Sequence, residues 1–272
     1  RDLHSFPTRR LFRSFMFAAV MSDAESCRGV LERILGIPIR KVMVHAEHVL
    51  FVNPETRGVR LDVYADDEHG TVYNVEMQTT DNKNLPKRSR YYQGQMDMDA
   101  LKTGEDFARL PQSIVIFICT FDPFGEGRHI YTFCNTCQEN TALTLDDDAV
   151  KIILSTKGTM DDVSPEMKRI LDYIDGKGAS DKFTEELEEA VRSARQNERW
   201  RLDYMTLEYE YRQRYLEGKE EGREEGRAEG RAEGRERTIQ KLHERGESIA
   251  SIADIVELNE EEVKRVISKL KL

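Results

Sequence analysis

Residues 113–119, SIVIFIC, carry apolar or small side chains at almost every position. Successive side chains of an extended strand point to opposite faces, so a run without alternation reads as a strand covered on both sides. Helices must then lie on either side of its sheet, which implies an α/β or α+β core. Shorter β-rich runs occur at 41–52, 59–65, 71–78, 129–133 and 150–155, separated by Pro, Gly, Asn and Asp clusters, and residues 83–104 carry a helical pattern. Ahead of them Phe17, Val20, Val30, Leu31, Ile34 and Leu35 predict two helical pieces broken near Ser22 and Asp23. Ser22 is the expected N-cap of the second, Glu25 closes its capping box, and Gly36 ends it.

A chain of 272 residues can bury a sizeable core, and no apolar run approaches the ~18 residues of a membrane-spanning helix. Fifty-one acidic residues against 41 basic ones give a net charge of -10, which excludes a protein that coats nucleic acid by bulk attraction. Any DNA contact must come from a local basic patch. The four cysteines, Cys27, Cys119, Cys134 and Cys137, make a poor disulfide framework, so a soluble protein of the reducing cytoplasm is expected. Residues 1–14 are basic in an acidic chain and read as an appended leader.

The hairpin at 59–78, VRLDVYADDEHGTVYNVEMQ, carries the chemistry. With a three-residue loop of Glu68, His69 and Gly70, Asp62 lies directly across from Glu76, with Cβ atoms roughly 5 Å apart on one face. Two facing carboxylates repel at neutral pH unless a cation, a shared proton or a basic neighbour offsets them. Oxygen ligation by Asp62, Glu76 and the backbone carbonyl of Met77 suits Mg2+ or Mn2+. The competing reading is an exposed face where Arg60 neutralises Asp62, and spacing alone leaves both open. Downstream, Lys83, Lys87, Arg88 and Arg90 lead into Tyr91 and Tyr92, a basic and aromatic patch able to position a DNA backbone and stack a base. Inward packing of Tyr91 and a solvated helix turn for the arginines are the alternatives. Cys134 and Cys137 lack the second pair that a zinc site needs, and strand alternation separates His45 from His48.

Residues 181–216 form a charged helical stretch, followed by Gly218, Gly222, Gly226, Gly230 and Gly234 at every fourth position. Each interior glycine costs a helix about 1 kcal/mol against alanine. The column reads either as a solvated low-complexity linker or as a groove for a second helix, which would make the chain a homo-oligomer. The tail predicts helices at 238–245, 248–256 and 259–271 around Ile249, Ile252, Ala253, Ile255, Leu258, Val263, Val266 and Ile267, a helix-turn-helix pattern. Glu260, Glu261 and Glu262 open its last helix, where they would repel phosphates, so a packing or assembly role is favoured over base reading by Lys264, Arg265 and Lys269.

The ordered blocks RLDVYADDEHGTVYNVEMQ, KRSRYYQGQMDMDALKTGE and PQSIVIFICTFDPFGEGRHIYTF, with the Gly-Arg-Glu repeat and helical tail, resemble the recombination-promoting nuclease and transposase family of the PD-(D/E)xK superfamily. The resemblance covers residues 15–272. It implies an α/β fold: a restriction-endonuclease-like core, a mixed sheet flanked by helices, at 15–178, then a charged arm at 179–237 and a helix-turn-helix-like tail at 238–272. It implies an Mg2+-dependent endonuclease acting on DNA in recombination or transposition, with no membrane partner. The catalytic set would be Asp62, Glu76, Gln78 in the superfamily's lysine position, and Glu25 as an additional helix acid, with the metal on Asp62, Glu76 and Met77. Lys87, Arg88, Arg90 and Tyr91 would meet nucleic acid. Ser14 departs from the family, which usually has aspartate before Phe-Met-Phe. Gln78 cannot carry positive charge, so a catalytically weak scaffold that binds DNA or self-assembles is the alternative.

Overall fold

The computed structural model describes residues 6–45, 49–50 and 59–270. Its centre is the apolar run: β6 (Ser113–Cys119) is buried at every position. β1 (Val42–His45), β4 (Val63–Asp67), β5 (Val72–Gln78), β7 (Ile130–Phe133) and β8 (Ala149–Ser155) join it in a mixed sheet of order β1-β4-β5-β6-β8-β7. β6 runs parallel to β5 and β8, and the outer pairs are antiparallel. β2 (Val49–Leu50) and β3 (Val59–Arg60) form a separate two-stranded ladder.

Alternation along β6 sorts two cores. Ile114, Ile116 and Ile118 pack with Val63, Ala65, Tyr73 and Val75 beneath α1 (Phe6–Met21), α2 (Ala24–Leu35), α4 (Pro165–Asp175) and α5 (Lys182–Gln196). Val115, Phe117 and Cys119 face the other way, towards Leu85 and Met96 of α3 (Leu85–Ala100). Parallel β5 and β6 require a crossover, and α3 supplies it.

The N-cap of α2 is Asp23 rather than Ser22. The Asp23 carboxylate accepts from the Ser26 N–H at 2.9 Å, while the Ser22 hydroxyl donates back to the Ala19 carbonyl and finishes α1. A charged acceptor suits the positive end of a helix better than a hydroxyl does. Gly36 ends α2 in the left-handed region.

The charged stretch after residue 178 is two helices broken at Asn197. α5 opens with a capping box between Asp181 and Thr184 and buries Leu187 in the first core. α6 (Glu198–Glu244) then runs for 47 residues without a break into the tail. The chain divides into compact units at Arg1–Met205 and Thr206–Leu272, so α5 packs with the first. In the second unit, the end of α6, α7 (Ile249–Val256) and α8 (Glu260–Leu270) enclose Ile239, Ile252, Ala253, Val256, Val263 and Ile267. Ile255, expected inside, is exposed. The face shared by Ile252, Ala253 and Val256 lies about 100° around the helix from it. Among the described residues no helix is long and apolar enough to cross a membrane.

Candidate active site

The β4–β5 loop is Glu68, His69 and Gly70, with Gly70 at φ +81° and the Asp67 N–H bonded to the Thr71 carbonyl. This loop sets the ladder, in which Val63 pairs with Val75 and Tyr64 with Asn74. One step further, at the end of the paired segment, Asp62 meets Glu76. The Asp62 N–H donates to Glu76 Oε1 at 3.1 Å, and the Met77 N–H donates to Asp62 Oδ2 at 3.2 Å. The Asp62 carboxylate thus takes the Met77 N–H that a longer ladder would have paired with a backbone carbonyl.

Asn74, Glu76 and Gln78 share the β5 face covered by α3, and all three are buried. Glu76 is 4% exposed. Burial and then the Asp62 carboxylate push its pKa up; the Asp62 N–H, Arg88 and the nearby Asn74 amide act the other way. Asn74 is fully buried, and neither its Oδ1 nor its Nδ2 makes a hydrogen bond of normal geometry.

Arg88 points inward from the first turns of α3. It donates to Gln78 Oε1 at 2.7 Å and to the Tyr92 hydroxyl at 2.9 Å, and lies 3.4 Å from Glu76 Oε2. Its guanidinium sits over the rings of Tyr92 and Phe117 at 5.3 and 5.2 Å. Gln78 also donates to the Thr80 carbonyl. The expected basic patch therefore splits: Arg88 enters the acidic site, while Lys87, Arg90 and Tyr91 stay on the exposed side of α3. Tyr91 is 38% exposed, and its neighbour Tyr92 packs inward on Phe117 instead.

The structure does not bring Glu25 to the two acids. α2 packs on the sheet face opposite Glu76, and the Glu25 side chain is 78% exposed and ion-paired with Arg28 at 2.6 Å. The residue of the helical layer that does reach the site is Ser14, whose hydroxyl lies 3.4 Å from the Met77 carbonyl oxygen. A strand residue directs its N–H and C=O to the same side, so this carbonyl faces the same edge as the Asp62 carboxylate. The alternative partner for Asp62, the Arg60 side chain, lies outside the described residues, as do Glu47 and His48. Asp62 makes further interactions of its own. Cys134 and Cys137 are free thiols, and among the described residues no three His, Cys, Asp or Glu side chains group as a metal site.

A mixed sheet flanked by helices, with one acid just ahead of β4 and the other on β5, fits the PD-(D/E)xK nuclease class. Residues 20–154 match the family described as PD-(D/E)XK nuclease family transposase. Neither the comparison with curated proteins nor that with solved structures gave a match.

The donor set fits a hard divalent cation: carboxylate oxygens of Asp62 and Glu76 and the Met77 carbonyl, with no sulfur or imidazole grouped with them among the described residues. The buried Asn74 amide beside Glu76 makes no hydrogen bond of normal geometry. Sequence reasoning marked Ser14 only as a departure from the family, and it missed Asn74 and the inward turn of Arg88. The period-two spacing of Asn74, Glu76 and Gln78 marks the first shared face, and the four-residue spacing of Arg88 and Tyr92 marks the second.

Proposed function

We propose that the chain is a metal-dependent DNA endonuclease serving recombination or transposition of a mobile element. The observation that carries this reading is the convergence of two carboxylates inside a segment matched to a nuclease family: the Asp62 N–H donates to Glu76 Oε1, and the Met77 N–H donates to Asp62 Oδ2. Asp62, Glu76 and the Met77 carbonyl would hold Mg2+ or Mn2+. When bound, a divalent cation supplies Lewis acidity to a phosphodiester oxygen and to the attacking water. In hydrolysis the water oxygen bonds to phosphorus, the P–O ester bond breaks, the leaving oxygen takes up a proton, and the other water proton passes to solvent. Lys87 and Arg90, exposed on α3, would contact flanking phosphates, with Tyr91 beside them.

Self-association through α6 belongs to the same reading. Its glycine column is exposed, and a Cβ added at Gly218, Gly222, Gly226, Gly230 or Gly234 meets nothing within 4 Å.

Plasmid nicking with Mg2+ tests the assignment. Asp62→Ala should abolish nicking with an unchanged circular dichroism spectrum, and a variant that nicks as fast as the parent would refute it. One observation favours the second reading, a binding scaffold: Glu76 is already engaged by Asp62 and Arg88. That reading predicts DNA association without turnover and no Mn2+ binding that depends on Glu76.

A further inference from the structure

Cleaving a phosphodiester builds negative charge on its two non-bridging oxygens and on the leaving oxygen, and two carboxylates at the same place oppose it. Gln78 cannot supply the missing positive charge. Among the described residues, Arg88 is the one cationic side chain in ion-pair or hydrogen-bond contact with Glu76 or Gln78.

Its bonds are unequal. The two short ones go to neutral acceptors, Gln78 Oε1 at 2.7 Å and the Tyr92 hydroxyl at 2.9 Å, while the contact with Glu76 is 3.4 Å. The faces of Tyr92 and Phe117 hold the guanidinium from the apolar side. Losing Glu76 to another partner would therefore leave Arg88 in place. A guanidinium has five N–H donors in a planar fork, shaped for phosphate oxygens.

We infer that Arg88 is a catalytic residue that binds the scissile phosphate of DNA, and that Gln78 is the positioning residue that aims it. The inference rests on the endonuclease reading and deepens it. In the free protein Arg88 balances Glu76. With substrate present it donates to a non-bridging oxygen of the phosphate under attack. The geometry needed from Gln78 is then an acceptor directed at Arg88, not a contact with water.

The test transplants the charge. Arg88→Met, Gln78→Lys and the double variant are compared with the parent and with Arg88→Lys, using Mg2+-dependent plasmid nicking and calorimetric titration with Mn2+. Because Gln78 Oε1 lies 2.7 Å from the guanidinium, a lysine ammonium at position 78 would stand close to the same point. Arg88→Met is expected to lower the nicking rate about 100-fold, with Arg88→Lys in between, and Gln78→Lys in the same chain to restore about tenfold. Mn2+ affinity of Arg88→Met should equal or exceed the parent's, because a competing cation has left Glu76. Parent-like nicking by Arg88→Met overturns the inference, as does failure of Gln78→Lys to rescue a folded Arg88→Met. Loss of Mn2+ binding in Arg88→Met overturns it too, making Arg88 a support for Glu76. A parent chain that neither binds Mn2+ nor nicks overturns the endonuclease reading itself, and this inference with it.

Discussion

The Ser14 hydroxyl meets the Met77 carbonyl oxygen at 3.4 Å, joining α1 to the β5 edge where Asp62 and Glu76 converge. A carboxylate at position 14 would face the same carbonyl and add a third acidic oxygen donor. Ser14→Asp is therefore expected to tighten Mn2+ binding about tenfold, or about 1.4 kcal/mol. Calorimetric titration reads it, and unchanged or weaker binding would show that position 14 lies outside the ion's reach.

Asn74 pays for its place in the core, since both polar atoms are buried without a hydrogen bond of normal geometry. An unsatisfied buried polar group costs ~1–3 kcal/mol. Asn74→Val should raise the stability of the metal-free protein by about 1 kcal/mol in urea unfolding. It should also weaken Mn2+ binding, because the amide favours the charged form of Glu76. A destabilised variant would mean that Asn74 is held by partners such as ordered water.

Asp175 gives acid denaturation a specific contributor. Burial alone would raise its pKa, but hydrogen bonds from Lys157 and Thr156, with the charges of Lys157 and Lys177, outweigh burial and hold it below the ordinary carboxylate value. A depressed folded-state pKa adds stability above the unfolded pKa of about 3.9 and loses it as pH falls through the folded value. Asp175→Asn should therefore be less stable than the parent at neutral pH, with the difference shrinking in acid. Urea unfolding at several pH values checks this, and a difference that grows in acid would contradict it.

The glycine column of α6 separates its two readings by opposite effects. Gly222→Ala and Gly226→Ala meet open space within the chain, so each should strengthen the helix by about 1 kcal/mol, seen as a higher melting temperature in far-UV dichroism. If a second helix packs along the column, the added methyl groups should also weaken self-association in sedimentation equilibrium. Association unchanged by both substitutions would leave the column a solvated arm.

The unalternating run at 113–119 and the period-two hairpin were legible because each follows one local rule, and the loop Glu68, His69, Gly70 set the register that faces Asp62 with Glu76. What escaped the sequence depended on long-range packing. Arg88 and Arg90 are two residues apart on one helix, and only the placement of α3 against β5 decides that Arg88 turns in while Arg90 stays out. The separation of Glu25 from the two acids has the same origin: its helix packs on the far face of the sheet. The break at Asn197 was hidden because charged helix-forming residues flank it on both sides, and nothing in their pattern says that α5 buries Leu187 while most of α6 stays exposed.

The account stands or falls on Asp62 and Glu76 gripping one cation, and Mn2+ titration of the purified chain measures that directly. The parent should bind a single ion per site with heat that disappears in Asp62→Asn and in Glu76→Gln, while both variants keep the parent's circular dichroism spectrum. Heat that persists unchanged in either variant, or a folded parent chain that takes up no ion, would contradict it.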